Sequence, residues 1–205
     1  MLAVITLAQL LRDCAPNVDP RTMTAIVRVE SGGRTFALRD NTLDTVYQPV
    51  DVVEAIAWTN QLLRRGDSLD LGLSQINSAN LPRLGIAVRD IFNPCMNLRA
   101  GSTILGEDYR AASSRFGPGQ FALRRALGAY NSGSLYAGSD YVNQILAAAG
   151  LSPENDYPAP AAPPPPAAKA PAKRKPGTAT ASAPRGPAYT IEHAPGSSVP
   201  VYVGS

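Results

Sequence analysis

Proline decides how much of this chain can pack. Of 19 prolines, 13 fall in the last 55 of the 205 residues, among runs such as Ala161 to Ala168 made only of Ala and Pro. A prolyl residue donates no backbone hydrogen bond, and such runs offer no periodic apolar face around which to build a core. The composition breaks near Leu151. Residues 151–205 are therefore expected to be a disordered Pro/Ala-rich flexible tail. Residues 1–150 are expected to be one domain, long enough to bury one core and too short for two.

Charge narrows the partners. Residues 1–150 hold 14 Arg against 13 Asp and Glu, and the whole chain carries only +3, so no nucleic-acid surface is expected. All three lysines, Lys169, Lys173 and Lys175, lie in the tail beside Arg174, which suits a solvated basic linker or weak attraction to an anionic polymer. The final stretch, Tyr189 to Val203, alternates enough apolar residues to add a strand to a partner, or it is plain disorder.

Met1 to Leu11 is apolar but has no basic residue before Arg12 and is too short to span a bilayer. It reads as the start of the fold, with a first helix over 3–13, no visible export signal and no membrane span. Asp19-Pro20 makes a second helix start, because Asp caps free amides and Pro needs no donor in the first turn. That helix, over 20–31, carries Met23, Ile26, Val27 and Glu30 on one face and ends at Gly32-Gly33.

An irregular segment over 34–49 is expected next, then a third helix over 50–65 ended by Gly66. The alternation of Leu69, Leu71 and Leu73 with Asp70 and Gly72 predicts a small β-hairpin. Asn93-Pro94 repeats the helix-start signal for a helix fading before Phe116, followed by helices over 120–130 and 139–149. The fold class is thus mainly α (α+β), with one small β element.

Glu30 is the first chemical candidate. A carboxyl on an apolar stripe loses solvation, which disfavours its charged form and raises its pKa toward that of a neutral-pH proton donor. The competing reading is a helix-end Glu turned to solvent or paired with Arg28 or Arg34. A lone pair of cysteines, Cys14 and Cys95, reads as one disulfide or as two buried thiols. The one histidine, His193, lies in the tail, so no metal site and no cofactor are expected in the domain.

Four motifs occur together: Val29-Glu30-Ser31-Gly32-Gly33, Gly72-Leu73-Ser74-Gln75-Ile76-Asn77, Ala129-Tyr130-Asn131-Ser132-Gly133 and Tyr141-Val142. In order and spacing they resemble the lytic transglycosylases of the lysozyme-like (goose-type, SLT domain) superfamily, over residues 7–149. Cys14-Ala15-Pro16, Ala25-Ile26-Val27, Asp70-Leu71-Gly72-Leu73 and Asn93-Pro94-Cys95-Met96-Asn97-Leu98 bring the likeness nearest to the enzymes of type IV secretion and conjugation systems.

The resemblance implies a lysozyme-like fold and a periplasmic enzyme acting on peptidoglycan glycan strands, with a bridge between Cys14 and Cys95. It implies cleavage of the β-1,4 bond between N-acetylmuramic acid and N-acetylglucosamine with formation of a 1,6-anhydro sugar, to open the wall locally while a secretion channel is assembled. Channel proteins would be reached through the tail. Glu30 would be the single catalytic acid and base. Ser31 would support it or the N-acetyl group, or simply end the helix. Gln75 would offer amide donors and an acceptor to the sugar, and Asn77 would stand beside it. Tyr130 would bring its hydroxyl near Glu30, Asn131 would shape the turn or touch the glycan, and Tyr141 would line the cleft. Family members mostly carry Met at the place of Ser74, so this chain lacks the apolar floor that Met would supply.

Most glycosidases use two carboxylates. Asp40, Asp44 and Asp70 are available, but none stands at a motif position of a nucleophile, and the resemblance implies assistance by the substrate's own acetamido oxygen. Two other readings stay open: a non-cleaving glycan-binding or scaffold module of the channel, and a hydrolytic muramidase that needs one of those aspartates at the sugar.

Overall fold

Each main helix starts and stops on the chemistry of its ends. The computed structural model describes residues 6–152, together with strands at 188–193 and 197–202. The Thr6 hydroxyl accepts from the Gln9 amide to start α1 (Leu7–Cys14), and Asp19 accepts from the Arg21 amide to start α2 (Pro20–Ser31). The expected first helix reaches back into residues 1–5, which lie outside the described residues.

The segment expected to be irregular is instead built into a sheet. It holds β1 (Leu38–Asp40) and β2 (Thr45–Tyr47), an antiparallel pair joined by a turn in which Asp44 takes φ +50°. Neither strand alternates apolar with polar residues, since β1 buries Asp40 on the same side as Leu38 and neither flanking residue of β2 is fully buried, so the sequence carries no strand signal here. Next, α3 (Val52–Arg65) begins two residues later than expected, because Asp51 accepts from the Glu54 amide at 2.8 Å while Glu54 accepts from the Val50 amide at 2.7 Å. This reciprocal cap leaves Val50 outside the helix.

The predicted hairpin is β3 (Leu69–Leu71) with β4 (Ile76–Asn77), and it extends the sheet to the antiparallel order β2-β1-β3-β4. Leu73, expected on the strand, falls in the turn and joins the helical core instead. A 3-10 turn (Ser78–Asn80) and two short helices that the sequence did not announce, α4 (Leu81–Leu84) and α5 (Val88–Ile91), lead to α6 (Pro94–Phe116). Then come α7 (Gln120–Ser132) and α8 (Ser139–Ala148). Strands β5 (Ala188–His193) and β6 (Ser197–Tyr202) pair antiparallel with each other.

Two apolar clusters meet along α6. Leu98, Leu105, Tyr109 and Ala112 pack with α1, α2, α7 and α8, while Ala100 and Ile104 pack against the cluster formed by the sheet and α3. Cys14, at the end of α1, is bonded to Cys95 in the first turn of α6. Asn97, 1% exposed, locks the sheet onto the same helix. Its amide nitrogen donates to the carbonyls of Leu71 and Ile91, and its oxygen accepts from the Ser74 amide at 2.7 Å. Gly72 turns at φ +74°, and a Cβ there would lie 2.3 Å from the Asn97 amide nitrogen, so this turn admits no side chain. Among the described residues, no helix is long and apolar enough to cross a membrane.

Candidate active site

Gly32 ends α2 in the left-handed conformation at φ +62°. The helix therefore stops at Ser31, one residue after Glu30, and leaves Glu30 at the lip of a cleft of about 780 Å3 between the helices and the sheet. Glu30, Asp70, Gln75, Asn77, Tyr130, Asn131 and Tyr141 line it together. Of the residues singled out from sequence for the site, Ser31 alone is not on the wall. It is 1% exposed, and its hydroxyl donates to the Val27 carbonyl and accepts from the Gly33 amide, so it closes the helix end that holds Glu30 in place.

Burial is the main influence on Glu30 and pushes its carboxyl up from 4.5 to about 7. Two neighbours adjust that value. The Tyr141 hydroxyl donates to Glu30 Oε1 at 2.6 Å and favours the charged form, while the negative charge of Asp70 disfavours it. Near neutral pH the group is therefore poised to give a proton and to take one back. The alternative pairing with Arg28 or Arg34 is not what forms: Arg28 donates to the Ala148 carbonyl, and among the described residues no ion pair includes Glu30.

Both tyrosines stand where the Glu30 charge bears on their phenols, but only one bonds to it. Tyr141, expected only to line the cleft, makes the direct hydrogen bond to Glu30, whereas the Tyr130 hydroxyl donates to the Ser74 carbonyl at 2.8 Å. Burial holds both phenols well above their ordinary pKa, so both remain donors. Removing the Tyr141 hydroxyl takes away the contact that favours the Glu30 carboxylate. In Tyr141→Phe the Glu30 carboxyl, followed by carbon-13 NMR, is expected to titrate at higher pH than in the wild type; a downward move would contradict this assignment.

The two amides are more committed than expected. Gln75, at φ +45° on the cleft wall, spends its amide nitrogen on the carbonyls of Ala37 and Gly72. Asn77 donates to Asp70 Oδ1 at 2.7 Å and to the Ser68 hydroxyl, and accepts from the Ala79 amide. It thus holds Asp70. Ser74 is fully buried behind the wall, and a Cβ on Gly101 would stand 2.8 Å from its own. It therefore supplies no floor to the cleft.

The three aspartates separate by environment. Asp40 is buried and paired with Arg65 at 2.9 Å, Asp44 is exposed and paired with Arg39, and Asp70 lines the cleft. Arg39, Asn41 and Gln144 also line it, and sequence reasoning missed them. Arg39 was hidden with its strand; recognising β1 would have put it on the Asp70 face. Among the described residues, no three His, Cys, Asp or Glu side chains converge into a group able to hold a metal ion.

Known proteins carry the same pattern. The family profile of the transglycosylase SLT domain matches residues 11–143. The type IV secretion system protein virB1 of Brucella abortus (strain 2308) and that of Brucella suis biovar 1 (strain 1330) are each 38% identical over 160 residues, which is 74% of this chain and 66% of theirs. Protein virB1 of Agrobacterium fabrum (strain C58) is 36% identical over 140 residues, 67% of this chain and 57% of its own. The chain thus spans just under two thirds of the length of the Brucella relatives. No solved structure matches significantly.

Proposed function

We propose, since this chain belongs to the transglycosylase SLT domain family, that it is a peptidoglycan lytic transglycosylase with Glu30 as its one acid and base. The observation that carries the reading is the Glu30 carboxyl, held near neutral pKa by burial at the lip of a polar cleft. In the proposed reaction, protonated Glu30 gives its proton to the oxygen joining N-acetylmuramic acid to N-acetylglucosamine, and the bond from that oxygen to muramyl C1 breaks. The acetamido oxygen of the muramyl residue stabilises the cationic C1. The Glu30 carboxylate then takes the proton from the C6 hydroxyl, whose oxygen attacks C1 and closes the 1,6-anhydro ring. Glu30 ends protonated and no water is consumed.

Around it, Tyr141 orients the carboxyl, the Gln75 oxygen accepts from a sugar hydroxyl or acetamido N–H, and Tyr130 and Asn131 form the helical wall. Ser31 and Asn77 act through the groups they hold. Residues 1–150 make up the catalytic domain and 151–205 the Pro/Ala-rich tail. The relatives' names assign those proteins to type IV secretion systems. For this chain we place the work in the periplasm, where a disulfide persists, with local wall opening for a secretion or conjugation channel and the tail reaching channel proteins.

One observation favours a second reading. Asp70 shares the cleft with Glu30 and is held by Asn77, as a hydrolytic muramidase with two carboxylates requires. Digestion in oxygen-18 water separates the two. Transglycosylation leaves the muramyl end unlabelled and one water lighter, the expected result, whereas hydrolysis puts one heavy oxygen at that end. A labelled reducing end, lost in Asp70→Asn, would replace the first reading by the second.

A further inference from the structure

The register of the sheet builds a row of polar side chains across the cleft. Arg39 of β1 stands opposite Asp70 of β3, and Asp70 stands opposite Asn77 of β4. Directly opposed residues in antiparallel strands point to the same face, and all three line the cleft. The neighbouring positions, Leu38, Asp40, Leu69 and Leu71, are fully buried on the other face. The row is thus fixed by the pleat.

Arg39 is the only Lys, Arg or His among the described residues that line this cleft. Its described contacts use a single nitrogen: Nη2 donates to Asp44, whose side chain is 82% exposed. Nε and Nη1 have no partner among the described residues. An ion pair this open to water holds its members weakly, while a guanidinium presents a planar fork suited to a carboxylate. The two carboxyl groups of the cleft, Glu30 and Asp70, offer an anionic group no ion pair. The glycan backbone of peptidoglycan is neutral where the sugars are joined; its anionic groups are the carboxylates of the peptide stem hung on the muramyl lactyl ether.

We propose that Arg39 takes a carboxylate of that stem and makes the site selective for stem-bearing over stem-free glycan. The inference rests on the peptidoglycan reading above. The test compares kcat/KM on intact glycan strands and on the same strands after amidase removal of their stems, for wild type, Arg39→Gln and Asp44→Asn. Wild type is expected to prefer the stem-bearing strands. Arg39→Gln is expected to lose about tenfold or more on those strands and to stay within about twofold of wild type on stem-free ones, while Asp44→Asn keeps the preference. Equal loss on both substrates, no loss on either, a wild type without preference, or an Asp44→Asn protein that behaves like Arg39→Gln would each overturn the proposal. Failure of the wild-type protein to cut either substrate is a different result and overturns the parent reading.

Discussion

Glu30→Gln is expected to leave the fold intact and to lower cleavage of purified peptidoglycan by about 10³-fold, the scale of losing a positioned general acid and base. Gln keeps the shape and can still accept from the Tyr141 hydroxyl, so only the transferable proton goes. Stability should move the opposite way. The Glu30 carboxyl lies at about 7 in the fold against 4.5 ordinarily, so the fold favours the protonated form. That favour is complete below the ordinary value and is lost as pH rises through about 7. A permanently neutral Gln keeps it, and the variant should match wild type near pH 4 and exceed it above pH 8. The gain is roughly 1–3 kcal/mol once the open side of the cleft is allowed for. Thermal melts at both pH values check this. A variant that is fully active, or less stable at alkaline pH, contradicts the assignment of Glu30.

Breaking the link between Cys14 and Cys95 is the largest expected blow to stability. The bond closes a loop with a sequence separation of 81, and the chain-entropy account gives about 4 kcal/mol for a loop of that size. Cys14 is buried, and the bond fixes α1 to the first turn of α6, the helix on which both apolar clusters rest. The double Cys14→Ser, Cys95→Ser protein is expected to melt about 10 °C or more below the oxidised wild type, and reductant should lower the wild-type melt comparably. Unreduced protein should show no reactive thiol at either position. Two titratable thiols, or a melt unmoved by reductant, would sink this prediction.

Much of the helical frame was legible because its signals are local. Asp19-Pro20, Asn93-Pro94 and the glycines after α2 and α3 act within one turn, so the helices around Glu30 could be drawn from the sequence, and the apolar spacing of Met23, Ile26 and Val27 put Glu30 on the buried stripe. The sheet was only half legible. β3 alternates Leu with Asp visibly, whereas β1 and β2, equally short, show no apolar-polar alternation, and β1 is held in the sheet by pairing with β3 far along the chain. That is why Arg39 was absent from the reading, and why Asp70, placed on its strand, was not seen to face it.

Hydrogen-bond partners were the least legible. Tyr130 and Tyr141 are equivalent in composition, and only the path of the turn from Leu73 to Gln75 sends the Tyr130 hydroxyl to the Ser74 carbonyl and leaves Tyr141 to Glu30. The same turn buries Ser74, a burial that comparison with the Met of other family members did not announce. Such assignments depend on backbone carbonyls, whose positions no residue type announces.

The most direct test of the catalytic account is the mass of the soluble products released from purified peptidoglycan by the wild-type protein, with Glu30→Gln in parallel. Anhydro-muropeptides from the wild type and none from the variant are the predicted result. Reducing-end muropeptides from the wild type, release that survives in Glu30→Gln, or no soluble product at all would contradict it.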